Sequence, residues 1–241
     1  MPKLLVGIIL IVYSLFVILG FTGYGDLAFT FDSLIIPLVA ISYFAFVKKR
    51  TFFFSLFVIC YAVSELMGLT VSYLLASGAN DFIQSVDFYT GNSLYILAYF
   101  FLFIEVIRNI DFNEIFKSFK IHLIVLIALN IWLVYVLQLI VVTKVFTTSD
   151  YVFELVYNIV MLVLLAASLL NYFCRDNQKS LYLFLGALCI VFSEVIDVAY
   201  IYITQRSLLN FLSTTLSLGA FYFFYIQTEM ADIKEDEIRI I

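Results

Sequence analysis

Apolar residues along this chain neither alternate nor recur at amphipathic spacing. They run on in long blocks broken by short polar interruptions. Eight blocks stand out, at 3–22, 28–47, 52–77, 88–107, 121–143, 151–173, 181–204 and 207–228. A hydrocarbon layer about 30 Å thick takes roughly 20 helical residues to cross, and each block meets that length. A membrane β-barrel would instead show alternating segments of about ten residues. The pattern therefore predicts an all-α polytopic membrane bundle of about eight transmembrane helices. The first block follows Met1-Pro2-Lys3 and resembles a leader peptide, but it has no small-x-small cleavage site and precedes seven similar blocks, so it reads as a helix that is kept. The chain divides into one transmembrane domain over 1–228 and a short acidic tail over 229–241.

Composition agrees: 64% of the residues are hydrophobic and 13% charged, against roughly a half and a quarter in soluble domains. Charge then orients the bundle. With the amino terminus in the cytosol, eleven of the 13 basic residues fall on that side: Lys3, Lys48, Lys49, Arg50, Arg108, Lys117, Lys120, Arg175, Lys179, Lys234 and Arg239. Lys144 and Arg206 fall outside, where the short loops carry Asp26, Asp81 and Asp150. The positive-inside rule predicts both termini in the cytosol, with the cell (inner) membrane as the expected location. The net charge of −5 says little about partners, since much of it sits between Glu229 and Glu237. No basic patch extends beyond the loop clusters, so nucleic acid is not an expected partner.

Several chemistries drop out by inventory. The single histidine, His122, sits at the cytosolic start of the fifth span, so bis-histidine haem and multi-histidine zinc sites are excluded. Cys60, Cys174 and Cys189 have no CxxC spacing. No span holds a central lysine for a Schiff base, and no glycine-rich phosphate loop is present. Neither a metal nor a cofactor is expected.

Carboxylates inside the spans remain. Glu65 and Glu194 each follow the last cytosolic basic residue, Arg50 and Lys179, by 15 positions. At about 1.5 Å per residue both lie roughly 22 Å along their helices, near the midplane. Asp197 follows Glu194 by one turn on the same side. Glu105 and Glu154 lie nearer the ends of their runs and read as interfacial. A carboxylate at the centre of a bilayer costs a few kcal/mol and points to function by default; polar glue between helices is the competing reading. Asn92, Tyr95 and Tyr99 in the fourth span, Asn130 in the fifth, and Tyr157 and Asn158 in the sixth could line a pocket with them. Pro37 is expected to kink the second span.

The two central glutamates share a context. CYAVSE (60–65) and CIVFSE (189–194) repeat Cys-x-x-x-Ser-Glu at an offset of 129 residues. Tyr43-Phe44 with Tyr172-Phe173, and Tyr73 with Tyr202, keep the same offset. The third and seventh spans run in the same direction, so a duplication would give parallel four-helix repeats, over 1–110 and 120–228, about an axis along the membrane normal. In that arrangement the two spans pack against each other at the centre and the glutamates form two halves of one site.

The chain resembles the YhhN-like lysoplasmalogenase family. Tyr157-Asn-Ile-Val-Met161 with Ala166-Ala167 is similar to that family's Tyr-x-x-x-Met pattern, and Gly186-Ala187 through Ser193-Glu194 to its Gly-Ala-x-x-Phe-x-x-Ser-Asp pattern. Tyr225 to Gln227 is similar to the end of its final Tyr-x-x-x-Gln, with the tyrosine two positions nearer the glutamine. Ser64-Glu65 falls where the family has Gly-Asp, and Gly91 to Tyr99 is similar to its fourth span. Both family aspartates are glutamates here, and its fourth-span histidine is missing; Asp197 is a candidate for the lost role. The resemblance implies hydrolysis of the vinyl ether bond of a lysolipid, with Glu65, Glu194 and Asp197 as the catalytic carboxylates. That chemistry needs one acid to protonate the double bond, expected to be Glu194 with Asp197 one turn away, and a second carboxylate, expected to be Glu65, to stabilise the oxocarbenium ion or activate water. Two alternatives use the same residues differently: a proton-coupled carrier, and a non-catalytic membrane scaffold or sensor.

Overall fold

In hydrocarbon a backbone amide finds no water, so each apolar block must satisfy its own hydrogen bonds as a helix. The computed structural model describes residues 2–76, 81–108, 110, 112–142 and 148–230. Among these are α1 (Pro2–Phe21), α2 (Gly25–Phe46), α3 (Phe52–Ala76), α4 (Asp81–Ile107), α5 (Phe112–Ser118), α6 (Lys120–Val141), α7 (Thr148–Arg175), α8 (Gln178–Tyr202) and α9 (Ser207–Glu229), with no strand. All except α5 are long and apolar enough to cross a bilayer, so the chain is a polytopic all-α bundle. Lys144, Lys234, Arg239 and all of the acidic tail beyond Met230 lie outside the described residues.

Local chemistry sets the turns. Gly23, at φ 88°, supplies the left-handed residue between α1 and α2. The α7–α8 turn is two residues long: Asp176 takes φ 41°, and Asn177 caps α8 by accepting the Ser180 amide at 2.8 Å. After α2, the Arg50 guanidinium donates to the carbonyls of Val47 (2.8 Å) and Phe44 (2.5 Å), satisfying acceptors that the helix end leaves open. Helix α2 runs on through Pro37, whose missing amide removes the intrahelical partner of the Ser33 carbonyl.

Six helices close a ring in the order α2, α3, α4, α7, α8, α9, each packed on the next and α9 returning to α2. Helix α1 lies outside α2, and α6 lies outside α7. These outer helices turn Leu4, Ile8 and Ile11, and Ile124, Trp132 and Tyr135, toward the lipid. Successive packing within α1–α4 is matched by successive packing within α6–α9. The serines of the repeated motif act alike: Ser64 donates to the Gly91 carbonyl on α4 at 3.0 Å, and Ser193 to the Ser213 carbonyl on α9 at 2.8 Å. The expected direct packing of the third and seventh spans, α3 and α8, does not occur. They stand on different sides of the ring, and large side chains bridge the gap between them.

Aromatic rings fill the half of the ring nearer the basic loops. Phe57 on α3 stacks on Phe221 of α9 at 5.5 Å between centroids, and Phe224 packs edge-on against Phe54 and Phe57 at 5.8 and 5.6 Å. Gly186 lets α8 approach this plug, since a Cβ there would land inside contact distance of the Phe224 ring. Phe224 is fully buried and hemmed in by its neighbours, so it has nowhere to shift. Gly186→Ala should therefore destabilise the bundle by about 1–3 kcal/mol, read as a lower unfolding temperature in detergent. An unchanged unfolding temperature would show that the plug yields.

Candidate functional site

On the other side of the plug the ring is hollow. A cavity of about 330 Å³ lies between α1 and α2 on one side and α8 and α9 on the other. Gly25 and Ser207, beside the α1–α2 and α8–α9 connections, line its outer part, and Glu65, Tyr61 and Tyr95 line its inner part. Both connections lie at the face opposite the basic loops, so the cavity is reached from that face.

Three carboxylates line it, one each from α2, α3 and α8: Asp32, Glu65 and Asp197. No Lys, Arg or His is among the lining residues. Hydroxyl groups supply the donors instead. Tyr95 donates to Glu65 Oε1 at 2.9 Å, and Thr214 donates to Asp32 Oδ1 at 2.8 Å. Asn210, Ser213, Thr214 and Ser217 recur at i, i+3, i+4 and i+7, which puts a polar stripe of α9 along the cavity wall.

Glu194 takes a different position. It is 8% exposed and absent from the cavity wall. Its Oε1 accepts from Tyr61 at 3.2 Å and from Tyr99, and its Oε2 accepts from Tyr157 at 2.5 Å. The rings of the cage also meet edge to face, Tyr61 with Tyr99 at 6.1 Å and Tyr99 with Tyr157 at 5.8 Å. Tyr61 belongs to both places, lining the cavity and donating to Glu194. It also packs edge-on against Tyr95 at 4.9 Å.

Of the residues marked from the sequence, Glu65, Asp197 and Tyr95 meet at the cavity, while Glu194, Tyr99 and Tyr157 meet in the adjoining cage. Asn158 instead donates to Gln138 of α6 at 3.2 Å. Asn130 donates to Leu126 of its own helix at 2.8 Å and borders an apolar groove between α4, α6 and α7. Asn92 is half-buried on α4 and is not among the cavity's lining residues. Glu154 accepts from Tyr202 at 2.8 Å, joining α7 to α8. Sequence reading missed Asp32, Tyr61 and the α9 stripe. Its spacing was visible; Asp32 was marked only by a charge near the start of an apolar block.

Among the described residues no group of three His, Cys, Asp or Glu side chains is arranged to hold a metal ion. No protein-family model matches the chain, and no curated protein or solved structure matches it.

The cage makes a prediction of its own. Tyr61→Phe, Tyr99→Phe and Tyr157→Phe each remove one donor to a buried carboxylate and should each cost about 1–2 kcal/mol. Thermal unfolding in detergent measures this; three variants as stable as the parent would mean that the hydroxyls do not hold Glu194.

Proposed function

We propose that this protein is an intramembrane lipid hydrolase of the lysoplasmalogenase type, with Glu65 and Asp197 as its working carboxylates and Asp32 beside them. The observation that carries the reading is a cavity at membrane depth with three carboxylates on separate helices and no basic side chain on its wall. Carboxylates without basic partners suit proton donation to carbon and stabilisation of a cation, the two demands of vinyl ether cleavage.

In the proposed reaction, Asp197 gives its proton to the double-bond carbon remote from the ether oxygen. The π electrons form the new C–H bond, and the adjacent carbon and oxygen share the positive charge as an oxocarbenium ion. Glu65, held by the Tyr95 hydroxyl, stabilises that cation and takes a proton from the attacking water. When the hemiacetal breaks its C–O bond, Glu65 passes its proton to the departing oxygen and the hemiacetal hydroxyl gives its proton to Asp197, releasing a fatty aldehyde and a glycerophospho-alcohol and restoring both carboxyl groups. Glu194, expected from the sequence to be the acid, has no cavity surface in this scheme. It acts through Tyr61 as a positioning residue.

A proton-coupled carrier would use the same carboxylates but needs a path to both faces. The aromatic plug of Phe54, Phe57, Phe221 and Phe224 favours the hydrolase.

Aldehyde release from a lysoplasmalogen by purified protein in detergent tests this. Glu65→Gln and Asp197→Asn should each lower kcat at least about a hundredfold, the usual scale of general acid–base catalysis. Full turnover in both variants would refute the roles. No turnover in the parent, together with solute uptake driven by a pH gradient in proteoliposomes, would establish the carrier.

A further inference from the structure

The basic face carries a second concavity of opposite chemistry. Lys49 and Arg50 from the α2–α3 turn, Arg108 after α4, and Lys179 in the first turn of α8 converge on a pocket of about 300 Å³. Thr51, Gln227 and Thr228 add polar groups, and Glu105 is the one carboxylate among the lining residues, so positive charge dominates. The positive-inside rule accounts for a surplus of Lys and Arg on this face. It does not require cations from three separate segments to share one pocket. Two of them are held in place: Arg50 lies over the Phe44 ring at 5.6 Å and Arg108 over the Phe53 ring at 5.3 Å. Arg50 directs its donors to the Val47 and Phe44 carbonyls and adds only its charge, while a guanidinium fixed on an aromatic face at the pocket wall, as that of Arg108 is, suits a phosphate.

This pocket adjoins an apolar groove. Phe54 walls both the pocket and a groove of about 500 Å³ that runs into the membrane between α1, α2 and α9. Val6, Ile9, Val39, Val58 and Leu218 line the groove, with Tyr222 and Tyr225 next to the pocket's Gln227 on α9. A free phosphate would occupy the pocket alone; a molecule with a phosphate joined to a chain would fill both.

We propose that this composite site binds an anionic phospholipid of the leaflet on the basic face. The phosphate sits among Lys49, Arg108 and Lys179, and one acyl chain lies in the groove. The site is distinct from the carboxylate cavity, which lies beyond the plug toward the opposite face.

Native mass spectrometry of the purified protein tests the proposal, with phosphatidylglycerol, phosphatidylcholine of the same chains and soluble glycerol 3-phosphate as separate probes. Phosphatidylglycerol should be retained at least about tenfold more tightly than phosphatidylcholine, and the triple variant Lys49→Gln/Arg108→Gln/Lys179→Gln should lose that preference. Gly219 lines the groove with open space at its Cβ position. Gly219→Phe should accordingly weaken lipid retention while the protein stays folded. If the triple variant does not fold, raising the salt from about 0.1 to 1 M must weaken retention by the parent to a similar extent, because exposed cations are screened. Equal retention of both lipids, salt-independent retention, or glycerol 3-phosphate binding as tight as the lipid would each overturn it.

Discussion

A carboxylate inside a bilayer must be supplied with hydrogen-bond donors, because lipid tails offer none. Glu194 draws its donors from Tyr61 on α3, Tyr99 on α4 and Tyr157 on α7. One side chain of α8 is thereby tied to three other members of the six-helix ring. Helices α3 and α8 do not pack directly, so this cage is what joins them across the interior. Tyr61 carries the consequence outward, since the ring that satisfies Glu194 also forms part of the cavity's inner wall. The tyrosine cage and the open cavity are two sides of one layer of aromatic residues.

Around that layer the ring is chemically polarised. Toward the basic loops its interior is packed with phenylalanine and ends in a cationic pocket. Toward the opposite face it is hollow and lined by carboxylates and hydroxyls. Both the cavity and the apolar groove lie along the seam where α1 and α2 meet α9, the loosest junction of the ring. The hydroxyls of Tyr13 and Thr215, 2.8 Å apart, join α1 to α9 there, on the wall of the apolar groove. Hydrophobic association cannot drive helices together in lipid, so polar bonds of this kind hold the seam while leaving space along it.

The eight spans were legible because bilayer thickness sets their length, and the apolar blocks agree with the helices to within a few residues at most ends. The differences fall where polar residues continue a helix: α4 begins at Asp81 rather than 88, and α2 at Gly25 rather than 28. The second of these hid Asp32, which reads as near the interface from position 28 but lies two turns inside the actual helix. Glu65 and Asp197 were legible as rare charges in apolar surroundings. The separate fates of Glu194 and Asp197 were not. Three residues rotate a helix by about 300°, so their side chains diverge by roughly 60°, enough for one to face the tyrosines and the other the cavity. Tyr61 was invisible among 17 tyrosines, since only the fold distinguishes the one that bridges cage and cavity.

The central claim is that one layer of tyrosines separates a sealed carboxylate from three that face a cavity. Amidation of carboxyl groups by a water-soluble carbodiimide and an amine, followed by peptide mass spectrometry of the folded protein, tests it most directly. Asp32, Glu65 and Asp197 should be modified while Glu194 is spared, and Glu194 should react only after unfolding. Modification of Glu194 at the rate of the other three, or protection of all four alike in the folded protein, would contradict the account.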